Sequence, residues 1–260
     1  LKRALRPEAH VTLTDVTAAY AVLALMGPKS RELLQRVSST PLGNEAFPFG
    51  TIRPIEIGHA TALASRRTYI GELGWELFIP VEFAALAYDR LHAAGGELGL
   101  RDAGYYALEG LRIEKGYRAW GRELTPDVTP YEAGLGFAVK LDKPAFAGRE
   151  ALVAVKASPP KRRIISLVAK DANTPLAWGG ELVLRDGKPV GDVTSAGFGA
   201  ALDRVVMLAL INTYGAALTE AALAASHFEV DIAGTRIPVR ATLEAPYDPD
   251  GARTVSYTHL

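Results

Sequence analysis

The segment Ser158-Pro159-Pro160-Lys161 divides the chain into two stretches with different apolar patterns. Before it, helical spacing alternates with short β-rich runs, whereas after it short strands are separated by tight turns such as Arg185-Asp186-Gly187-Lys188. Because two adjacent prolines interrupt both helices and central strands, the segment predicts a linker. We therefore predict an α+β domain over residues 1–157 and a small antiparallel β-barrel or sandwich domain over residues 158–253.

The periodicity of the apolar residues predicts the individual elements of both domains. In the first domain we expect strands over residues 11–14, 20–26, 51–57, 60–70 and 75–79. Helices are expected to begin at Pro28 and to cover residues 83–94, 103–115 and 148–156. In the second domain the predicted strands cover residues 163–169, 181–184, 190–194, 205–211, 228–232 and 237–243.

The composition excludes several classes of protein. The 29 basic and 29 acidic residues balance, so no overall positive field favours nucleic acid or an anionic membrane. The chain has no cysteine, which excludes disulfides, thiolate nucleophiles and thiolate metal ligands. Hydrophobic residues make up 48% of the chain, yet no apolar run reaches the length of a membrane span. We predict a soluble, cytoplasmic protein without a nucleic-acid or membrane partner.

The most informative segment, residues 69–80, places a carboxylate inside an apolar strand. Glu76 follows the glycine-bounded turn over residues 71–74, and the local sequence supplies no partner for its charge. A buried carboxylate without a partner is costly, so the segment invites a ligand. On an extended strand Glu76 and Phe78 share one face, while Leu77 takes the other.

We place Tyr69 on the strand before this turn, so that a hairpin brings it close to Glu76. A carboxylate beside aromatic surface suits a flat heterocycle with two parallel N–H donors, because the carboxylate accepts both while the ring stacks. A solvated Glu76 on a half-exposed strand explains the same pattern. From the residues alone, both interpretations stay open.

A second cluster, residues 111–121, contains Arg112 among apolar helix residues. Arg112 could pair with a carboxylate of the same domain, but a surface ion pair near the helix end is the favoured interpretation. Lys115 is explained by its position near the negative end of the helix dipole. Arg112 and Trp120 are therefore only supporting candidates for a binding site.

A third cluster, residues 129–139, carries Phe137 after the glycines Gly134 and Gly136. Glycine permits close approach of the backbone, so Phe137 could lie against a ligand. An ordinary turn into a core strand explains the cluster equally well.

Motifs of the better-known chemistries are absent from the sequence. The five histidines have no metal-binding spacing, and no serine-hydrolase elbow, phosphate loop or dinucleotide fingerprint occurs. The residues therefore favour binding over catalysis, with no metal site and no catalytic residue assigned.

Taken together, the clusters resemble the C-terminal half of the sarcosine and dimethylglycine dehydrogenase family, which is similar to the aminomethyltransferase (T-protein) of the glycine cleavage system. The resemblance runs in the expected order over roughly residues 10–250. The segments that carry it are residues 14–17, 20–28, 44–50, 69–80, 111–121, 129–140, 148–152, 178–181, 185–187 and 190–195. It implies a partial aminomethyltransferase-type folate-binding domain, with antiparallel sheets and flanking helices, followed by a small C-terminal β-barrel.

The resemblance also implies a function. In this family a flavin domain with FAD oxidises an N-methyl amine, and the folate domain captures the one-carbon unit as 5,10-methylenetetrahydrofolate. Tetrahydrofolate is therefore the expected ligand of this chain. FAD is expected in a separate N-terminal flavin domain, which would be the partner of this chain.

Individual roles follow from the family's motifs. Tyr69 matches the pterin-contacting tyrosine, and Glu76 matches the glutamate that accepts from the pterin's amino and ring N–H groups. Leu77 and Phe78 lie beside that glutamate, and Phe137 falls where the family has an aromatic against the folate.

The chain also departs from the family. Aminomethyltransferases carry Ala-Arg-Asp before their Leu-Arg-Leu-Glu, whereas this chain has Ala107-Leu108-Glu109, which removes a folate-binding arginine and favours the dehydrogenase branch. The family's catalytic aspartate is expected upstream of this chain, so the chain alone is expected to be inactive. The start at Leu1 predicts a fragment, and residues 254–260 are expected to be a truncation or fusion tail.

Two other functions fit the resemblance. One is a free-standing aminomethyltransferase that works with a lipoyl carrier protein. The other is a non-catalytic folate-fold protein of the iron–sulfur assembly type, which ranks last because its characteristic segment contains a cysteine.

Overall fold

A computed structural model describes residues 5–6 and 8–254 of the chain. Its packing separates two compact units. The first is built mainly from residues up to 68 and residues 72–101, and the second from residues 69–71 and 102–252. The predicted domain division between residues 157 and 158 stays a prediction. Apart from Thr254, the predicted tail lies outside the described residues.

The first unit is a four-stranded antiparallel sheet with two helices on one face. Its strands are β1 (Tyr20–Met26), β2 (Ile52–Ile57), β3 (Ala60–Ser65) and β4 (Gly74–Pro80). They lie side by side in the order β1-β4-β3-β2. The helices are α1 (Ser30–Val37) and α2 (Ala84–Gly95).

Strand β4 supplies the centre of the core in this unit. Trp75, Leu77 and Ile79 alternate along the strand and are fully buried. Because side chains of a strand alternate between faces, all three point to the side that the helices cover. Leu34 of α1 and Ala87 of α2 belong to the same apolar cluster. The predicted alternation of β4 is therefore confirmed.

Two predictions in the first unit are wrong. Residues 11–14 form no strand, and their side chains are exposed, so no apolar face holds them against a sheet. Strand β3 ends at Ser65 instead of continuing to residue 70. The next residue, Arg66, is buried and donates a hydrogen bond to the Phe47 carbonyl at 2.5 Å. A buried cation requires such partners, so the chain leaves the sheet where Arg66 finds them.

Helix boundaries shift by one or two residues from the predicted ones. Helix α1 begins at Ser30, and Pro28 lies in the turn before it. The Ser30 hydroxyl donates to the Leu73 carbonyl at 2.9 Å, which ties the start of α1 to the loop that enters β4.

The second unit contains a closed antiparallel barrel. Its strands are β5 (Arg162–Ala169), β6 (Leu182–Arg185), β7 (Lys188–Gly199), β8 (Arg204–Asn212), β9 (Phe228–Ile232) and β10 (Thr235–Thr242). They close in the order β10-β5-β8-β7-β6-β9, which decides between a barrel and a sandwich. Three helices belong to the same unit, namely α3 (Tyr105–Glu114), α4 (Arg149–Lys156) and α5 (Glu220–Ala224).

The predicted turn between β6 and β7 is confirmed. Asp186 and Gly187 both have positive φ, at 52° and 77°. This backbone is typical of the two-residue hairpin turns whose twist matches that of the strands.

Helix α3 lies with its backbone against strand β7. A Cβ atom added at Gly110 would lie 2.2 Å from the Phe198 carbonyl oxygen, so only glycine permits this approach. The contact fixes α3, and with it Arg112, on the outside of the barrel.

No helix in the described ranges is both long enough and apolar enough to cross a bilayer. The cytoplasmic location stays a prediction.

Candidate functional site

Glu76 lies on the face of the first sheet that the helices leave open. The register pairs Val22 of β1 with Phe78 of β4, and Phe78 with Leu63 of β3. Directly paired residues of antiparallel strands point to the same side. Glu76 is two residues from Phe78 on β4, so it shares this side.

The open face is largely apolar. Val22 is 52% exposed and Leu63 is 40% exposed. A single exposed apolar residue needs no explanation, but neighbouring exposed apolar residues on one surface favour a binding site. Ile52 extends this surface, because it pairs with Ser65, which in turn pairs with Glu76. The result is a largely apolar surface around the carboxylate of Glu76, with Glu56 as a second carboxylate of the same face on β2.

The carboxylate of Glu76 is only weakly matched by the protein. Arg67 is the nearest cation, with its Nε atom 3.9 Å from Glu76 Oε2, a distance too long for a hydrogen bond. That Nε atom instead donates to the Ser65 hydroxyl at 2.8 Å. Among the described residues, no group donates a hydrogen bond to Glu76. The sequence predicted that no nearby residue pairs with the charge of Glu76. This prediction is wrong, because the positive charge of Arg67 lies 3.9 Å away.

The structure separates Leu77 from Glu76. Leu77 is fully buried on the helix-covered side, whereas Phe78 is half-buried on the open side. Of the residues predicted around Glu76, Phe78 is therefore its neighbour on the same surface, and Leu77 supports the sheet from within the core.

Tyr69 lies in the loop after β3, so its predicted place on a strand is wrong. Its hydroxyl donates to the Arg118 carbonyl at 3.4 Å. Burial raises the pKa of Tyr69, and the positive charge of Arg112 offsets only part of the effect. The phenol is therefore neutral near pH 7 and keeps its proton for hydrogen bonding.

Phe137 and Trp120 are both strongly exposed. Phe137 lies in the single 3-10 turn Gly136–Ala138 and is 78% exposed, so the alternative of a turn into a core strand is wrong. Trp120 is 90% exposed at the start of the loop that ends at Leu124. Large exposed aromatics of this kind favour contact with a ligand or a partner.

Arg112 is completely buried, so its interpretation as a surface ion pair is wrong. Its guanidinium pairs with Glu109 on the same helix and with Glu123 at 3.3 Å. It also donates to the Ser195 hydroxyl at 2.9 Å and to the Tyr117 carbonyl at 2.9 Å. Burial would lower the pKa of Arg112, but the two carboxylates outweigh it and raise the pKa.

Glu123, which the sequence did not single out, completes this buried cluster. Its carboxylate is fully buried and accepts from the Ala119 backbone N–H at 2.7 Å. It also accepts from the hydroxyls of Thr194 and Ser195 on β7, each at 2.6 Å. The cluster therefore joins α3, the Trp120 loop and the barrel by hydrogen bonds that satisfy the carboxylate of Glu123, whereas the buried Nε atom of Arg112 has no partner among the described residues.

Lys115 forms an ion pair with Asp248, a contact that its position near the negative end of the helix dipole does not predict. Its Nζ atom lies 2.6 Å from Asp248 Oδ2 and donates to the Asp248 carbonyl at 2.6 Å. Its aliphatic chain covers Gly71, where an added Cβ would lie 2.3 Å from Lys115 Cε. Gly71 has φ of +77°, so this contact fixes the loop that carries Tyr69 in a conformation suited to glycine.

The arrangement is suited to binding. A half-buried carboxylate on a flat apolar surface can accept paired N–H donors of a planar ligand, whereas the buried Arg112–Glu123 cluster has no accessible group to offer. The described residues contain no group of three or more acidic or histidine side chains that could hold a metal ion.

Two protein families match this chain. The GCVT N-terminal domain matches residues 1–143, and the glycine cleavage T-protein C-terminal barrel domain matches residues 162–248. All six strands of the closed barrel lie within the second range.

Curated relatives are much longer than this chain. The chain is 39% identical to 4-methylaminobutanoate oxidase (formaldehyde-forming) of Paenarthrobacter nicotinovorans over 97% of its own length and 30% of the relative's. It is 37% identical to mitochondrial sarcosine dehydrogenase of Homo sapiens, over 93% of its own length and 26% of the relative's. The chain thus spans less than a third of the length of these relatives.

A solved structure has the same fold. The aminomethyltransferase T of the glycine cleavage system from Bartonella henselae is similar with a TM-score of 0.71 and 26% sequence identity. The similarity covers 87% of this chain and 59% of that protein.

Proposed function

Because this chain belongs to the family defined by the GCVT N-terminal domain and the glycine cleavage T-protein barrel domain, we propose that it binds tetrahydrofolate and accepts one-carbon units for an FAD-dependent N-methyl amine dehydrogenase or oxidase. The names of two relatives, an oxidase and a dehydrogenase of methylated amines, support this branch. When bound, tetrahydrofolate supplies the two nitrogens that take up the one-carbon unit as 5,10-methylenetetrahydrofolate. FAD would bind in a flavin domain, not in this chain.

The observation that carries the proposal is the unmatched carboxylate of Glu76. It lies on an open apolar surface without a hydrogen-bond donor among the described residues. The pyrimidine ring of a reduced pterin is planar and offers an amino group and a ring N–H side by side. The carboxylate of Glu76 would accept both, as carboxylates do in bidentate pairs.

Phe78, on the same surface, would contact the pterin ring beside that carboxylate. Leu77 would act indirectly, by holding β4 against the core. We also propose that Tyr69 and Phe137 contact the folate, and a substitution at each position would test its role separately. The role of the exposed Trp120 as a supporting contact is a proposal of the same kind.

A second candidate is a free-standing aminomethyltransferase, which the fold of the Bartonella henselae aminomethyltransferase favours. The two functions share the folate site and differ in the donor of the one-carbon unit. Methylene transfer from an aminomethyl-lipoyl carrier protein would support the second candidate. Transfer that requires a flavin-dependent amine oxidation would support the first.

The proposal is tested by calorimetric titration of tetrahydrofolate into the wild type, Glu76→Gln and Glu56→Gln. Glu56 is an exposed residue of β2 on the same face of the same sheet, so its variant controls for the loss of one negative charge. Hydrogen bonds to a charged group contribute about 1.5–3 kcal/mol, so Glu76→Gln should weaken binding by at least about tenfold. Glu56→Gln should leave it unchanged. Equal affinity in all three proteins would refute the role of Glu76.

A further inference from the structure

Two arginines lie close together in the second unit, and neither forms an ion pair with an acidic residue that the structure describes. An added Cβ atom at Gly134 would lie 2.9 Å from Nη2 of Arg118 and 3.1 Å from Nη2 of Arg163. The two guanidinium groups therefore flank the same point of the backbone. They come from places 45 positions apart in the chain, the loop after α3 and the start of β5.

Toward the residues that the structure describes, both arginines donate only to backbone carbonyls. Arg118 donates through Nε to the Ala133 carbonyl at 2.9 Å, and through Nη1 to the Gly116 carbonyl. Arg163 donates through Nη1 to the Tyr131 carbonyl at 2.6 Å. Within the described ranges, the Nη2 group of each arginine donates no hydrogen bond, and neither is sealed from solvent. Two donor groups close to the same point of the backbone are thus left for a ligand.

The acidic residues nearest to the pair are committed elsewhere. Glu132, next to Ala133, is paired with Arg162 at 3.0 Å and accepts from the Thr129 backbone N–H at 2.9 Å. Glu123 is saturated by Arg112, Ala119 and the two hydroxyls of β7. Neither carboxylate can therefore accept a hydrogen bond from the arginine pair without breaking its own contacts.

The proximity of two like charges in a half-buried place is unfavourable. Burial lowers the pKa of Arg118, the positive charge of Arg163 lowers it further, and Glu123 opposes the change. Burial likewise lowers the pKa of Arg163. Both groups still carry their proton at neutral pH, because an arginine pKa lies far above it. An anion between the two Nη2 groups would relieve this repulsion.

The pair adjoins two residues that the proposed function uses. The Tyr69 hydroxyl donates to the main-chain carbonyl of Arg118, and Phe137 is three residues after Gly134. A ligand that contacts Tyr69 or Phe137 is therefore placed to extend an anionic group to the arginines.

We propose that Arg118 and Arg163 form a carboxylate-binding site. The planar fork of a guanidinium matches a carboxylate, and two forks around one point can hold both of its oxygens. Two ligands of the proposed function carry such a group, the glutamate of tetrahydrofolate and an N-methyl amino acid. In the first case the site rests on the proposed function, because its ligand is the glutamate of the folate. In the second case the site does not depend on folate binding.

The test compares three probes by calorimetry on the 260-residue chain. The primary amide of tetrahydropteroate has the pterin and the benzoyl ring but no carboxylate, tetrahydrofolate carries the carboxylates of its glutamate, and dimethylglycine is a methylated amino acid. Each is titrated into the wild type, Arg163→Gln, Arg163→Lys and Arg162→Gln. Arg162→Gln is the matched control, since it removes the neighbouring cation, which pairs with Glu132 and not with the arginine pair.

If the glutamate is the ligand, Arg163→Gln should weaken the binding of tetrahydrofolate at least tenfold and leave the binding of the tetrahydropteroate amide unchanged. The affinity of Arg163→Lys for tetrahydrofolate should lie between those of the wild type and Arg163→Gln, because lysine keeps the positive charge but lacks the planar guanidinium. If the amino acid is the ligand, dimethylglycine should bind the wild type and lose at least tenfold in Arg163→Gln. In both cases Arg162→Gln should bind the ligand as tightly as the wild type does. This result would show that loss of a nearby positive charge does not by itself weaken binding.

The outcomes separate this site from the proposed function. If the tetrahydropteroate amide and tetrahydrofolate bind equally, and dimethylglycine does not bind, the carboxylate site is overturned while folate binding stands. If dimethylglycine binds through Arg163 and no folate binds, the site stands and the proposed function fails. Binding of none of the three probes would overturn both, and circular dichroism of each variant shows that it is folded.

Discussion

Glu76 and Glu123 are both carboxylates in largely apolar surroundings, yet their hydrogen bonds differ completely. Glu123 is fully buried and accepts from one backbone N–H and two hydroxyls, in addition to its ion pair with Arg112. Glu76 is half-buried, and its one ion-pair partner in the described part of the chain is Arg67 at 3.9 Å. Saturated hydrogen bonds mark Glu123 as a structural residue, and their absence at Glu76 among the described residues supports the proposal that its carboxylate binds a ligand. If burial alone were used to choose a ligand-binding carboxylate, the fully buried Glu123 would be chosen before the half-buried Glu76.

The largest effect is expected for Glu123→Ala. Removal of one partner leaves the guanidinium of Arg112 buried with only Glu109, and breaking a buried pair costs about 3–5 kcal/mol. Urea unfolding monitored by circular dichroism measures the loss, with Asp127→Ala, an exposed residue four positions later, as the control. A loss below about 1 kcal/mol would contradict the structural role of the cluster.

A smaller loss is expected for Gly110→Ala. Alanine is the better helix former by about 1 kcal/mol, but its Cβ would lie 2.2 Å from the Phe198 carbonyl oxygen. The clash should push α3 away from β7 and lower the unfolding free energy by about 1–3 kcal/mol. Gly104→Ala is the matched control, because Gly104 caps the same helix with open space around it. If both variants have the same stability, close packing of α3 on β7 does not support the cluster.

The pair of Glu132 and Arg162 should contribute a pH-dependent term of about 1 kcal/mol, since Arg162 is partly exposed. Burial would raise the pKa of Glu132, but the hydrogen bonds from Arg162 and Thr129 outweigh it and lower the pKa. A lowered folded-state pKa stabilises the protein above the unfolded value of about 4.3, and the contribution disappears as the pH falls through the folded value.

The stability difference between the wild type and Glu132→Gln should therefore be present at pH 7 and shrink below about pH 4. Unfolding free energies at a series of pH values check this, with the exposed Glu45→Gln as a control that should show no such trend. A difference that grows on acidification would contradict the direction of the pKa change.

The smallest effect on stability is expected for Glu76→Gln. No hydrogen bond reaches its carboxylate from the described residues, so the unfolding free energy should change by no more than about 0.5 kcal/mol. The same urea experiment as for Glu123→Ala measures it. A loss of several kcal/mol would place Glu76 among the structural residues and remove the contrast with Glu123.

Patterns local in the chain predicted much of the fold and part of the site. Alternation along residues 75–79 correctly set Glu76 and Phe78 opposite Leu77, because side-chain direction on a strand depends only on position. The same logic failed for residues 11–14, where an apolar run finds no sheet to join. It also failed at Arg66, whose buried charge ends β3 early.

Contacts distant in the chain could not be predicted in this way. The hydroxyls that saturate Glu123 are 71 and 72 positions away on β7, and no periodicity links them to it. The burial of Arg112 follows from those contacts, so its favoured interpretation as a surface residue was wrong. Arg118 and Arg163 meet only because the loop after α3 and the start of β5 flank Gly134.

The central claim is that Glu76 binds folate and does not stabilise the fold. The most direct measurement is the change in unfolding free energy that tetrahydrofolate causes in the wild type and in Glu76→Gln. A ligand that binds only the folded state adds about 2.7 kcal/mol at 100 times its dissociation constant. We predict that gain for the wild type, at least about 1 kcal/mol less for Glu76→Gln at the same ligand concentration, and equal stability of the two proteins without ligand. An equal gain in both proteins would contradict the account.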